Sequence, residues 1–183
     1  MRYSLHLKDE SATDALAQDL ARAILPVPHP SAKQTETVLA EGELPPRQGG
    51  SLHLKGDLGA GKTAFCRAFL RACGVTGRIK SPSYALLETY KVSNLYFYHL
   101  DFYRFNDPRE WLDAGFRDLL RDDALVLIEW PEKAAGLLPP PDLEISLDYS
   151  GLGRDVTLAA FTERGQIWLN AIVPPEKAPN PAQ

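Results

Sequence analysis

Gly56-Asp57-Leu58-Gly59-Ala60-Gly61-Lys62-Thr63 constrains this chain more than any other stretch. It fits Gly, four residues, Gly-Lys-Thr, the pattern of a phosphate-binding P-loop. Glycines at 56, 59 and 61 let the backbone turn so that successive N–H groups point inward at phosphate oxygens, at positions where a Cβ would obstruct the approach. Lys62 adds a mobile point charge for the β- and γ-phosphates. Thr63, at the start of a helix, can offer its hydroxyl to a Mg²⁺ bridging those phosphates, while the helix N-terminus contributes partial positive charge. The motif therefore predicts a nucleoside triphosphate with magnesium. Its flanks comply: Ser51 to Lys55 alternates like a strand, and Lys62 to Cys73 carries apolar residues at 65, 66, 69, 70 and 73, one helical face ending at Gly74. A chance match to the pattern in a chain this long has a probability of about 1%.

A length of 183 residues, 44% of them hydrophobic and 24% charged, suits one globular domain, taken as residues 1–173. No stretch approaches the roughly 18 consecutive apolar residues of a membrane span, and Met1 to Leu7 lacks a signal-peptide core. A cytoplasmic protein without a membrane partner is expected. The net charge of −4 argues against a chain that wraps nucleic acid, DNA in particular. Charge is nonetheless uneven, with seven Lys and Arg against one Asp between Arg47 and Lys80. That stretch reads as a solvated helix face or as a docking surface for an acidic partner. Cys66 and Cys73 are too far apart along one helix to bridge, and read as reduced, buried thiols.

Along the chain, a short strand at Tyr3 to Leu7 precedes a helix from about Ala12 to Leu25, with Leu16, Leu20 and Ile24 as its apolar stripe and Ser11 with Asp14 as a capping box. Residues 26–50 are rich in Pro and Gly and read as an exposed inserted loop. Beyond the P-loop helix, Ser81 to Tyr84 is a proline-bent loop of the kind that faces a γ-phosphate, and Ala85 to Tyr90 is strand-like. Tyr96 to Leu100 is an aromatic-rich strand ending on Asp101. Ligands of open α/β sheets sit beyond the carboxyl ends of strands, so Asp101 is a candidate site residue, the alternatives being a helix cap or an ion pair with Arg104.

Asp107-Pro108-Arg109-Glu110 starts another helix, continued by Leu112, Phe116, Leu119 and Leu120. Ala124 to Ile128 is a continuous apolar run, as expected of a central parallel strand, and ends on Glu129. That is the Walker B arrangement, whose carboxylate fixes magnesium; the plain alternative is an edge carboxylate turned to solvent. Past Pro139-Pro140-Pro141, Leu143 to Leu147, Val156 to Phe161 and Gln166 to Val173 read as an antiparallel strand extension, with Glu163-Arg164-Gly165 as a turn. Residues 174–183 read as a disordered tail. The fold class expected is an α/β P-loop nucleotide-binding fold, with a mainly parallel central sheet flanked by helices and a C-terminal antiparallel extension.

The P-loop, Lys80-Ser81-Pro82-Ser83-Tyr84, His99-Leu100-Asp101-Phe102-Tyr103-Arg104 and Ile128-Glu129-Trp130-Pro131 resemble, in order and spacing, the TsaE family. Resemblance runs from about Leu7 to Val173, departing in the length of the 26–50 insertion and in Ser83, where Thr is usual. It implies a bacterial Mg²⁺-dependent ATPase required for N6-threonylcarbamoyladenosine at position 37 of tRNAs reading codons that begin with A. TsaB and TsaD proteins would be its partners, with tRNA engaged indirectly. On this resemblance Leu58, Gly59, Ala60, Gly61, Lys62 and Thr63 bind the nucleotide, Lys62 and Asp101 serve hydrolysis, and Thr63 and Glu129 hold the metal. Glu10 and Arg154 match positions of nucleotide contact, their alternatives being a helix N-terminal charge and a hairpin-loop arginine.

Two other classes use the same loop. A small-molecule kinase adds an acceptor pocket and an arginine-bearing lid, which Arg104, Arg109, Arg117 and Arg121 could imitate. A GTPase would use Asp148-Tyr149-Ser150-Gly151, but no Asn-Lys pair exists to read guanine.

Overall fold

The computed structural model describes residues 1–25 and 49–173. The expected inserted loop, except for its last two residues, and the expected tail lie outside the described residues. In chain order the strands are β1 (Arg2–Leu7), β2 (Gly50–Lys55), β3 (Leu87–Val92), β4 (Leu95–Asp101), β5 (Ala124–Glu129), β6 (Leu143–Ser150) and β7 (Gly153–Ala160). The helices are α1 (Glu10–Ile24), α2 (Lys62–Ala72), the single turn α3 (Glu110–Asp113) and α4 (Glu163–Ile172). All seven strands form one sheet in the order β1-β7-β6-β2-β5-β4-β3. The four central strands β6, β2, β5 and β4 run parallel, while β3, β7 and β1 add on antiparallel. This is the α/β architecture expected from the motifs, with its antiparallel C-terminal extension.

Side-chain alternation decides what each face of the sheet does. Phe97, Leu125 and Leu127 pack with Leu16 and Leu20 of α1 and Phe65 and Phe69 of α2. Their neighbours Tyr98, Leu100, Val126 and Ile128 enter a separate aromatic core with Phe102, Phe105 and Trp111. A strand covered on both sides must be apolar throughout, which explains the unbroken run in β5. His99, Asp101 and Glu129 continue the set that faces α2, and all three are buried. Register places Asp101 directly beside Glu129, so two acids end neighbouring parallel strands at the same level.

Three expectations are corrected by packing. The cap of α1 is Asp9, whose side chain accepts from Ala12 N at 2.9 Å, and not Ser11. The helix expected to start at Asp107 begins only at Glu110, whose Oε1 accepts from Asn106 N and Asp107 N. It then stops, because Gly115 turns left-handed at φ 71° and a 3-10 turn follows at Phe116–Leu119. Trp111 is thereby buried and Leu112 left half exposed. The strand expected at Gln166 to Val173 is α4: Thr162 Oγ1 accepts from Gly165 N, closing its first turn, and Trp168 and Leu169 face inward. Gly165 is not a turn residue but a close approach, since a Cβ there would stand 1.8 Å from the Asp142 carbonyl oxygen.

His53, between core-facing Leu52 and Leu54 on β2, is itself buried. Burial, helped by the nearby Lys55 charge, pulls its pKa down from 6.5 to about 4. Between those values the unfolded chain binds a proton that the folded chain refuses, so stability falls as pH drops from 6.5 toward 4. The expected loss is about 3 kcal/mol, each pKa unit being worth about 1.4 kcal/mol. Urea unfolding of His53→Leu against wild type across this range should show a clearly shallower acid dependence in the variant; parallel slopes would remove His53 as the cause.

Candidate nucleotide-binding and hydrolysis site

The P-loop leaves β2 and enters α2 through residues that only glycine tolerates. Gly56, Gly59 and Gly61 have φ of 134°, 79° and 110°. At Gly56 space adds to the demand, because a Cβ would lie 2.3 Å from the Leu147 carbonyl oxygen on β6. Gly61 is the N-cap of α2 and supplies no side chain, so the first amides of that helix keep their donors for a ligand.

Lys62 is almost completely buried and its Nζ donates to the carbonyls of Gly56 (2.6 Å) and Asp57 (2.9 Å). The ammonium also stands 3.8 Å from the centroid of the Trp130 ring. Burial lowers its pKa, while Glu129, Glu132, Asp101 and Asp57 pull the other way. The charge is therefore poorly solvated and has carbonyls and a π face where an anion would bind more strongly.

Thr63 Oγ1 donates to Glu129 Oε2 at 2.9 Å, joining the start of α2 to the end of β5. Asp101 accepts from Ser83 Oγ at 2.6 Å and from Tyr103 N at 2.9 Å. Ser81 Oγ lies 2.8 Å from Ser83 Oγ, and Arg104 Nε donates to the Ser83 carbonyl, which ties the Ser81 to Tyr84 loop to the strand carrying Asp101. Asp101 is thus neither a helix cap nor the ion-pair partner of Arg104; Arg104 instead stacks over Tyr84, 4.3 Å from its ring centroid. Leu58, Gly59, Gly61, Lys62, Thr63, Ser83, Asp101 and Glu129 line one cleft of about 180 Å³ with Tyr103 and Trp130. Its oxygen donors, a threonine hydroxyl and two carboxylates, suit Mg²⁺, which takes hard oxygen ligands and retains waters.

Glu10 and Arg154 fall on the other side of the loop. With Gly59, Ala60 and Gly61 they line an adjoining cavity of about 380 Å³. Arg154 lies within β7 and not in the hairpin turn. Its Nε donates to the Ala60 carbonyl at 2.8 Å and its guanidinium covers Tyr149, whose hydroxyl donates to the Leu58 carbonyl. Glu10 opens α1 in its first turn, where a negative charge is favourable. Of the arginines that could imitate a kinase lid, Arg109 pairs with Asp107 and Arg121 with Asp123, each two residues away.

Reading the sequence residue by residue misses His99 and Trp130. His99 Nε2 lies 2.7 Å from Glu129 Oε1 in a wholly buried pair, the partner a carboxylate after five apolar residues requires. The parity of β4, which sets His99 on the face of Asp101, was the available signal. Trp130 depends on backbone geometry that no pattern shows: it sits at φ 58°, ψ 48°, uncommon for a bulky residue, and so swings its ring over Lys62.

Residues 7–156 match the family model described as "Threonylcarbamoyl adenosine biosynthesis protein TsaE". A Haemophilus influenzae protein named tRNA threonylcarbamoyladenosine biosynthesis protein TsaE is 42% identical over 120 residues, 66% of this chain and 76% of that protein. A Bacillus subtilis protein of the same name is 34% identical over 119 residues, 64% of this chain and 74% of that one. The Rickettsia felis protein of that name is 48% identical over 96 residues, 52% of this chain and 56% of its own length. The crystal structure of Bacillus subtilis YdiB superposes with a TM-score of 0.67 at 24% identity, covering 93% of both chains, a likeness of fold. Among the described residues no helix is long and apolar enough to cross a membrane. With the family model covering most of the chain and the same name recurring among its relatives, the protein belongs to the TsaE family of threonylcarbamoyladenosine biosynthesis.

Proposed function

We propose that this chain is a Mg²⁺-dependent ATPase that acts with TsaB and TsaD in forming threonylcarbamoyladenosine at position 37 of tRNAs reading codons that begin with A. The observation that carries this reading is the bond between Thr63 and Glu129 in the cleft that also holds Lys62 and Asp101. A hydroxyl, a carboxylate, a cation and a second acid meet where a P-loop presents a γ-phosphate.

In this reading the backbone amides from Leu58 to Thr63 cradle the phosphates, and Arg154 with Tyr149 braces the loop from behind. Lys62 leaves its carbonyl partners for the β- and γ-phosphate oxygens. Thr63 and Glu129 hold Mg²⁺, which when bound offsets phosphate charge. Asp101, its carboxylate fixed by Ser83 and the Tyr103 amide, orients the attacking water. The chemistry asks mainly for positioning and electrostatic stabilisation, both of which weaken when water enters. The cleft is small and open, and Leu58 in its lining is largely exposed.

Hydrolysis by the isolated chain should therefore be slow and should rise when TsaB and TsaD exclude water from the cleft. Titrating purified partners against the protein while following free phosphate tests this, with tRNA modification measured in a strain lacking the protein. Fast hydrolysis by the lone chain together with normal modification in its absence would refute the assignment. Phosphorylated small molecules in place of free phosphate would make the protein a kinase.

A further inference from the structure

Glu129 has two carboxylate oxygens, and the fold gives each a different neighbour. Oε2 accepts from Thr63 Oγ1 at the floor of the cleft. Oε1 points away from it, to His99 Nε2 at 2.7 Å, where both side chains are essentially without solvent contact. The other ring nitrogen, His99 Nδ1, is buried and has no hydrogen-bond partner among the described residues. The Nε2 contact fixes the donor. A carboxylate oxygen only accepts, so Nε2 carries a proton and donates it to Oε1.

The same pocket also holds a thiol. Cys66 Sγ lies with the His99 and Glu129 donor atoms inside 4.8 Å, an arrangement a thiophilic metal could use. Complete burial, reinforced by Glu129 and Asp101, pushes the Cys66 thiol well above its ordinary range. The imidazole is wedged under the carboxylate, with a fixed direction and one donor aimed at Oε1.

We infer that His99 is a positioning residue: by holding Glu129 Oε1 beneath the sheet end, it leaves Oε2 alone to face the P-loop and presets the carboxylate for Mg²⁺. The inference rests on the reading of Glu129 as the metal-side acid. Without the imidazole, Oε1 is a desolvated lone-pair oxygen with no donor, and the carboxylate must rotate to find one. The rotation would take Oε2 off the line to Thr63. Outer donors of this type typically change metal affinity by 10–100-fold.

The test is binding of a non-hydrolysable ATP analogue as a function of Mg²⁺ concentration. His99→Phe, which keeps a planar ring and removes the donor, should raise the Mg²⁺ needed for half-effect by about tenfold. Nucleotide binding in EDTA should stay at the wild-type level. His99→Gln, whose amide can replace the Nε2 donor, should recover most of the loss, whereas His99→Asn, too short to reach Oε1, should behave like Phe and stands in for it if Phe does not fold. In a Glu129→Gln background, His99→Phe should add nothing, because the two act through one oxygen. A wild-type Mg²⁺ dependence in folded His99→Phe or Asn, with Glu129→Gln clearly altered, overturns the inference and spares the reading. An unaltered Glu129→Gln removes both. An equal loss of nucleotide binding in EDTA would make His99 a general structural residue.

Discussion

Lys62→Ala is expected to lower ATP hydrolysis by at least about 10²–10³-fold, the loss associated with removing one donor from a developing negative charge, while the protein stays folded. The two halves of that expectation have separate causes. The catalytic half follows from the position of Nζ, held by the Gly56 and Asp57 carbonyls at the centre of the loop. The stability half follows from the lowered pKa, whose largest cause is burial of the charge. Removing the ammonium relieves that penalty and leaves two carbonyls at a cleft that water can reach. Phosphate release and thermal unfolding measured on the same preparation check both; a destabilisation of several kcal/mol would make Lys62 a structural residue. Lys62→Arg should fail as well, since a planar guanidinium cannot sit within the curve of the loop and on the Trp130 face as a compact ammonium does.

The largest effect on stability is expected at Trp111. Its side chain is fully buried in the aromatic core, with Phe102 at 5.9 Å between ring centroids and Phe116 at 6.5 Å. Trp111→Ala should cost about 3–5 kcal/mol by lost burial and the cavity left behind. For a domain of this size that corresponds to roughly 10 °C in unfolding midpoint. Trp111→Phe should cost much less. It fills most of the volume and removes an indole N–H that has no partner among the described residues. Phe102 follows Asp101 directly and stacks on Phe105 at 4.5 Å, so loosening this core should also blur the placement of Asp101. Urea denaturation of the two variants separates the terms; a cost below 1 kcal/mol for Ala would mean that the neighbouring aromatics collapse into the space.

What the sequence settles by itself is local and periodic. The P-loop residues, the strand before them and the helix after them follow from glycine spacing and from apolar residues at 65, 66, 69 and 70. The unbroken run from Ala124 to Ile128 declares a strand covered on both faces, hence a central one, and Asp101 and Glu129 stand out as acids where strands stop. Patterning fails where a residue's partner is distant in the chain. Gln166 to Val173 has apolar residues that suit a strand or a helix; the choice was made by Thr162 and Asp142, 20 residues apart, and by the approach of Gly165 to a backbone carbonyl. The helix after Asp107 stops at the left-handed Gly115, and Trp111 enters a core built by β4 and β5.

The site divides in the same way. Residue types could nominate Lys62, Thr63, Asp101 and Glu129, since each carries its chemistry in its own side chain. Only the parallel register of β4 on β5 could put Asp101 beside Glu129, and only the packing of α2 on that sheet face could join Thr63 to one oxygen of Glu129 while His99 holds the other. A hydrogen bond needs its atoms within about 3 Å, and a separation of 30 residues between His99 and Glu129, or 66 between Thr63 and Glu129, is closed by tertiary structure alone.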